Sequence, residues 1–463
     1  MEDRKKWSES LIYTKKSVYE RRTDGEIDAA MEYARGYAAF LDAAKTEREA
    51  VREGIRMAAE KGFRPYHFGD KIKPGDKLYY NNRDKNLFLF TIGTEPIEQG
   101  IRISAAHVDS PRIDLKQCPL YEEGGMSFFK THYYGGIRKY QWVTIPLALH
   151  GVIAKKDGSV LQICVGEEES DPIFYINDLL PHLGHEADKK PLGEAFNGEQ
   201  LNVLVGSRPF DGEAEADSIK LRVLYLLHEK YGITEEDFLS AELCLVPAMK
   251  ARDIGFDRAL IGAYGHDDRV CAYPALSAIL ENADSAHTLM CVLADKEETG
   301  SDGNTGMQSD LLLDLINAIS LSCGGDPAAV RAASKCLSAD VSAAFDPNFA
   351  SVFEKRNAAL LSAGVVLTKY TGARGKSSTN DANAEYIGWL RNIMDAEGVV
   401  WQSAELGCVD CGGGGTVAKY ISKHNIDTVD LGVPVIAMHA PYEVISKVDL
   451  YEAYRAFSAF CRQ

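Results

Sequence analysis

The chain has 463 residues, enough for two or three domains around a sizeable core. Its apolar fraction of 45% is that of an ordinary globular protein, and no stretch approaches the ~20 apolar residues of a membrane span. The formal net charge of -17 argues against a nucleic-acid binder, which carries a basic face, and against docking on anionic membranes.

Met1 to Trp7 is charged and no apolar run follows, so no secretory leader is expected. Ten cysteines, spread mostly singly, point to a reducing, cytoplasmic compartment. Apolar and small residues recur at helical spacing from Ile27 to Ala59. They predict helices up to about residue 60, ended by Gly62 and Pro65. Short strands follow at Lys77 to Tyr80 and Asn86 to Ile92. A third strand delivers Ser104-Ala105-Ala106-His107-Val108-Asp109-Ser110-Pro111. Residues i and i+2 of a strand face the same side. Asp109 can therefore reach one imidazole nitrogen of His107 while the other faces a metal.

From 113 to 245 the texture is β-rich, with turn signals at Gly124-Gly125 and Gly135-Gly136. Strands are predicted at Trp142 to Leu149, Val160 to Val165 and Leu201 to Val205. A hairpin connection is predicted at Lys155 to Gly158, an exposed loop at His182 to Gly198 and a helix at Ser218 to Tyr231. This block reads as an insertion into a first domain made of residues 1–112 and 246–463. The second part alternates strand and helix, which predicts an α/β sheet with covering helices.

Five segments of the outer parts bring a metal-type ligand to a strand end or the loop after it: His107, Asp267, Glu297-Glu298, Asp340 and His439. The ligand crevice of an open α/β sheet lies at those ends. Imidazoles and carboxylates without thiolate suit zinc, cobalt or manganese, and one bridging carboxylate would let the set hold two ions. Of the adjacent glutamates, one can bind metal while the other serves as general base. The one close cysteine pair, Cys408 and Cys411, has no second pair to complete a zinc knuckle. It reads as two small residues in a tight turn before Gly412 to Gly415.

Assembled, these segments resemble the M18 metallo-aminopeptidases, the family of aspartyl aminopeptidase and aminopeptidase I. The resemblance rests on His107-Val108-Asp109-Ser110-Pro111, Asp267-Asp268 and Glu297-Glu298-Thr299-Gly300-Ser301. It extends to Ser338-Ala339-Asp340 with Pro347-Asn348, and to Gly432-Val433-Pro434 with Ala437-Met438-His439. It implies a zinc-exopeptidase α/β/α sandwich with an inserted β-rich dimerisation domain. It also implies two divalent ions, foremost zinc, bridged by Asp267. His107 and Asp340 would complete one site, and Glu298 and His439 the other. Glu297 would be the general acid/base, Asp109 would orient His107, and Lys369 would lie in the substrate pocket. The implied reaction is release of the N-terminal residue of peptides, acidic residues in particular, by a dimer-based homo-oligomer such as a tetrahedral dodecamer.

The chain departs from the family pattern in ways that set it in a divergent bacterial branch. Tyr134-Gly135-Gly136 is kept, but Trp142-Val143-Thr144-Ile145-Pro146 and Thr371 to Lys376 replace family motifs. Asp346 stands for a histidine, and the histidine lent to a neighbouring subunit has no match near Gln200-Leu201-Asn202. Two other functions fit the same residues. One is a carboxypeptidase or deacylase on this fold, which would not need a free α-amine. The other is a cage-forming protein without activity, which would purify without metal.

Overall fold

The structure is a computed structural model that describes residues 2–210, 216–372 and 374–463. Ala373, in the replaced run after Lys369, lies outside the described residues. The central sheet has nine strands. Their spatial order is Arg64–Pro65, Lys77–Asn82, Asn86–Thr91, Leu289–Ala294, Arg102–His107, Lys335–Ser338, Asp427–Gly432, Val365–Thr368 and Trp401–Ser403. The four from Leu289–Ala294 to Asp427–Gly432 run parallel. Parallel strands need cover on both faces, and strand alternation supplies apolar residues to each. Leu87, Leu89, Cys291 and Leu293 pack on one side with the helices Asp24–Ala43, Glu47–Glu60, His266–Glu281 and Lys447–Cys461. Phe88, Phe90, Met290 and Val292 pack on the other with Leu311–Ser322. The result is the expected α/β/α sandwich. Threonine–glutamate capping boxes, Thr23 with Glu26 and Thr46 with Glu49, start the first two of these helices. Among the described residues no helix is long and apolar enough to cross a membrane.

Residues 112–247 supply all seven strands of a second, antiparallel sheet. Its order is Val160–Val165, Leu147–Ala154, Ala241–Pro247, Arg112–Glu123, Met126–Tyr134, Val203–Gly206 and Tyr175–Ile176. It has its own core, including Phe129, Leu149 and Leu245. The strand expected from Trp142 begins only at Leu147. Lys139–Gln141 is a single 3-10 turn and Thr144 has φ of 59°. Trp142 is nevertheless fully buried, edge-on to Tyr264 at 6.3 Å, so the apolar run there reflects burial without extension. The expected loop at His182 to Gly198 contains two one-turn helices, His185–Asp188 and Leu192–Ala195.

A buried ionic cluster joins this sheet to the helices of the central one. Lys45 Nζ lies 2.7 Å from Glu167, and His150 lies between Glu49 (2.8 Å) and Glu167 (3.1 Å). Burial works against charge on His150. Hydrogen bonds to Cys164, Glu167 and Glu49 outweigh it and push the ring up to about 11. A third, small sheet orders Arg252–Ile254, Leu260–Ala263, Glu443–Ser446, Pro434–Ile436 and Ser342–Ala343. It ties together the chain just before Asp267, just before His439 and just after Asp340.

Candidate metal centre and active site

Each of the five segments reaches one end of the central sheet. His107 ends the buried middle strand Arg102–His107. The neighbouring strand Leu289–Ala294 runs through Asp295 and Lys296, whose φ is positive, into the turn Glu297–Thr299. Asp340 follows the strand Lys335–Ser338 on the other side. Asp267 sits in the first turn of the helix His266–Glu281, where it and Asp268 have non-helical backbone angles. His439 leaves the strand Pro434–Ile436 with φ of 66°. Close packing of these ends depends on Gly432, where a Cβ would run into the Asp340 carbonyl.

Asp267 is the centre of the arrangement. Its Oδ1 lies 3.1 Å from His107 Nε2, and its Oδ2 lies 3.1 Å from His439 Nε2. Glu297 Oε2 lies 3.8 Å from His107 Nε2, and Glu298 Oε1 lies 3.5 Å from His439 Nε2. One ligand-type atom each from His107, Asp267 and Glu298 fall within 4.8 Å of one another, as do those of His107, Asp268 and Asp340.

Both rings are held from behind. His107 Nδ1 donates to the Asp109 carbonyl (3.0 Å) and lies 3.3 Å from Asp109 Oδ1. His439 Nδ1 donates to the carbonyl of Gly136 (2.8 Å). With Nδ1 protonated, a neutral ring turns the Nε2 lone pair toward Asp267. A lone pair facing a carboxylate at that distance needs a proton or a cation between them.

Asp109 accepts from the Glu297 and Glu298 N–H groups (3.2 Å each) and from the Tyr134 hydroxyl (2.8 Å). Glu443 accepts from the N–H groups of Asp267 (3.0 Å) and His439 (2.6 Å), and Ser110 Oγ donates to the Asp267 carbonyl (2.6 Å). Tyr134, Gly136 and Glu443 were missed as site residues. Tyr134-Gly135-Gly136 was visible only as a turn and a kept motif. Glu443 stands four residues after His439, a spacing without a signature of its own.

The electrostatics ask for cations. The buried cluster holds Asp267, Asp268, Glu298 and Asp340 against two imidazoles, with Glu297 at its rim. Burial, and then the neighbouring carboxylates, push Glu298 and Asp340 well above the usual carboxylate range. Burial pushes Glu297 up to about 7, with His107 pulling it down and Asp109 and Asp267 raising it. Asp267 is buried too, but hydrogen bonds from His107 and His439 hold it below its ordinary value. Burial disfavours charge on His439, yet Asp267 and Glu298 push the ring up to about 10. Buried Glu298 Oε1 and Asp268 Oδ1 have no hydrogen-bond partner. Mixed imidazole–carboxylate donors of this kind fit a borderline divalent ion.

The centre opens into a cleft of about 520 Å³. Asp267, Glu297, Glu298, Asp340 and His439 line its floor. Leu406, Gly413 to Thr416, Lys419 and Tyr420 form a wall. Lys369 is not brought to this lining. It follows the strand Val365–Thr368, but its ammonium pairs with Asp381, which also holds Lys376 at 3.1 Å. Among the described residues, Lys419 is the one lysine or arginine that lines the cleft.

A family model described as Aminopeptidase I zinc metalloprotease (M18) matches residues 40–461. A Clostridium acetobutylicum protein described as a probable M18 family aminopeptidase 1 is 48% identical, covering 97% of this chain and 98% of its own. The crystal structure of an M18 aminopeptidase from Thermotoga maritima superposes with a TM-score of 0.92 at 42% identity, over 97% of this chain and 99% of that one. Aminopeptidase I from C. acetobutylicum superposes at 0.91 with 44% identity, over 98% and 100%. At 20% identity, the S. cerevisiae mApe1 dodecamer shares the fold, with a TM-score of 0.76 over 92% of this chain and 96% of that one. The chain belongs to the M18 zinc metalloprotease family and is a metallo-aminopeptidase.

Proposed function

We propose that the enzyme works with two divalent ions, zinc foremost and cobalt or manganese compatible, held on either side of Asp267. The placing of its two oxygens 3.1 Å from two separate imidazoles carries this reading. His107 and Asp340 complete one site, and Glu298 and His439 the other. Bound there, the ions would supply an activated water and polarise the scissile carbonyl. Glu297, beside the cluster with its carboxylate 3.8 Å from His107 Nε2, takes a proton from the attacking water and returns it to the leaving amine. Asp109 fixes the His107 ring, and the Gly136 carbonyl fixes that of His439.

Tyr134 acts through Asp109 as a positioning residue. Tyr134→Phe is expected to weaken metal binding or activity by roughly 10- to 100-fold, the usual cost of losing an outer-sphere partner. Titration of the apo protein with zinc against a competing chelator measures it. An unchanged affinity and turnover would remove Tyr134 from the site.

The free α-amine of a peptide docks at the carboxylate floor, and the first side chain meets the wall that carries Lys419. An acidic first residue is the complement of that cation. A panel of aminoacyl-p-nitroanilides and peptides tests both points. Turnover should stop with chelator, return with zinc and vanish on N-acetylated substrates. Equal cleavage of acetylated peptides would favour a deacylase or endopeptidase instead. Lys419→Met should lower kcat/KM for aspartyl and glutamyl substrates about 10-fold, through the loss of one charge-assisted contact, and spare neutral ones. The same change at Lys369 separates the two lysines.

The seven-stranded block is proposed as the dimerisation surface of a homo-oligomer, on the scale of the yeast dodecamer. Exposed Leu221, Tyr225 and Leu226 on its helix Ser218–Tyr231 support this. Ten cysteines outside any disulfide support a reducing, cytoplasmic setting.

A further inference from the structure

The CxxC pair has no part in peptide hydrolysis, yet it sits at the tip of a loop whose legs reach the wall of the cleft. Cys408 and Cys411 close a turn in which the Cys411 N–H donates to the Cys408 carbonyl (3.0 Å). The Cys408 side chain pushes the Cys411 thiol above its ordinary pKa, so the two side chains lie near each other. Cys411 is exposed and Cys408 half-buried. Such a turn holds its end Cα atoms within about 7 Å, inside the span a disulfide bridges.

The turn is the tip of a loop whose legs lie together. A Cβ on Gly412 would meet the Leu406 carbonyl and, at 3.2 Å, the Gly407 Cα. Leu406 on one leg and Gly413 to Thr416 on the other line the cleft. The loop is pinned at the tip and along its second leg. The Cys408 N–H donates to the Val352 carbonyl (3.0 Å) and the Gly414 N–H to the Thr371 carbonyl (2.9 Å). Thr416 Oγ1 donates to buried Asp430 (2.7 Å). Glycines make this wall bare backbone, and glycine backbone is ordered only as far as its pins order it. A soft-metal role lacks donors: among the described residues, no third ligand group joins the two thiols.

We propose that Cys408 and Cys411 are a reversible redox site whose disulfide stiffens the substrate wall of the aminopeptidase. The oxidant is a small-molecule disulfide. The exposed Cys411, as thiolate, attacks one of its sulfurs and expels one small thiol. The Cys408 thiolate then attacks the Cys411 sulfur of the mixed disulfide and expels the second. One disulfide is broken and one formed. Two protein thiols are oxidised, and their protons leave on the two small thiols released. The reaction needs no large backbone movement, because the hydrogen-bonded turn already holds the two Cα atoms within the span of a disulfide. Closing the tip locks Leu406 against Gly412 and reaches the cleft through Gly413 to Thr416.

The test uses the full-length, zinc-loaded enzyme treated with oxidised glutathione, then with dithiothreitol. Mass spectrometry should find Cys408 joined to Cys411 with no glutathione retained. Hydrogen exchange across residues 412–416 should slow in the oxidised form. KM for peptides should shift about threefold or more with kcat nearly unchanged, as expected for a change in binding alone. Dithiothreitol should reverse all three, and the C408S/C411S variant should keep basal activity and ignore the oxidant. A glutathione adduct that persists, or a linked form with the exchange and KM of the reduced one, overturns the proposal. The linkage and exchange readouts need no turnover, so failure of the peptidase reading would show separately.

Discussion

Glu297→Gln is expected to lower kcat by about 10²- to 10⁴-fold, the contribution of a lost general acid–base, while metal per chain stays at the wild-type ratio. The amide has the shape of the carboxyl but takes up no proton. Glu297 side-chain oxygen lies 3.8 Å from His107 Nε2, beside the cluster, and its side chain keeps 16% exposure at the cleft floor. Its N–H is held by Asp109 whether or not the side chain is charged. Backbone and ligand positions should therefore survive, and KM should move little. Steady-state kinetics with elemental analysis of the same preparation check it. A variant that turns peptide over at the wild-type rate would strip Glu297 of its role, and one that loses metal would make it a ligand.

Asp267→Asn is expected to fail differently, through metal. Its two oxygens face different imidazoles, so an asparagine must turn an NH₂ toward one of them. On that side an N–H donor then stands where an ion between Asp267 and the imidazole lone pair would require an acceptor. Removing an outer-sphere partner already costs about 10- to 100-fold in metal affinity or activity, and Asp267 is proposed to hold the ions directly, so the loss should exceed this range. The variant should still fold, because the Asp267 main chain keeps its bonds to Glu443 and Ser110. Metal content after dialysis, with circular dichroism as the folding control, reads both claims. Full metal occupancy in Asp267→Asn would place the bridge elsewhere, with Asp268 next to be tested.

The five segments were legible because each combines a strand-type run with a ligand residue where the run stops. The parallel sheet then gathers those stops at one edge. His107, Glu297-Glu298 and Asp340 follow three adjacent strands, so their meeting needs nothing beyond strand order. The supports were harder to see. Gly136 serves His439 through its main-chain carbonyl, which no residue type advertises, and it comes from the other sheet. Lys369 entered only through the family resemblance. Its direction is set by Asp381, in an irregular segment where periodicity gives no orientation. Trp142 misled in the opposite sense: an apolar run usually means an extended buried strand, and here it fills the core from a turn. Lys419 lay in a short helix after the glycine run, and only the packing of that helix brings it to the cleft.

The Gly136–His439 contact joins segments made at very different times. During synthesis, a nascent chain that has reached Glu297 already carries its proposed general base, one imidazole and the whole seven-stranded block. It has no second imidazole, and Gly136 awaits a partner more than half the chain away. Domains fold as they emerge at roughly 5–20 residues per second, so the block can be in place long before His439 arrives to close the centre. On the proposed ligand set, hydrolytic competence would coincide with the docking of the last strands that bring His439 to Gly136.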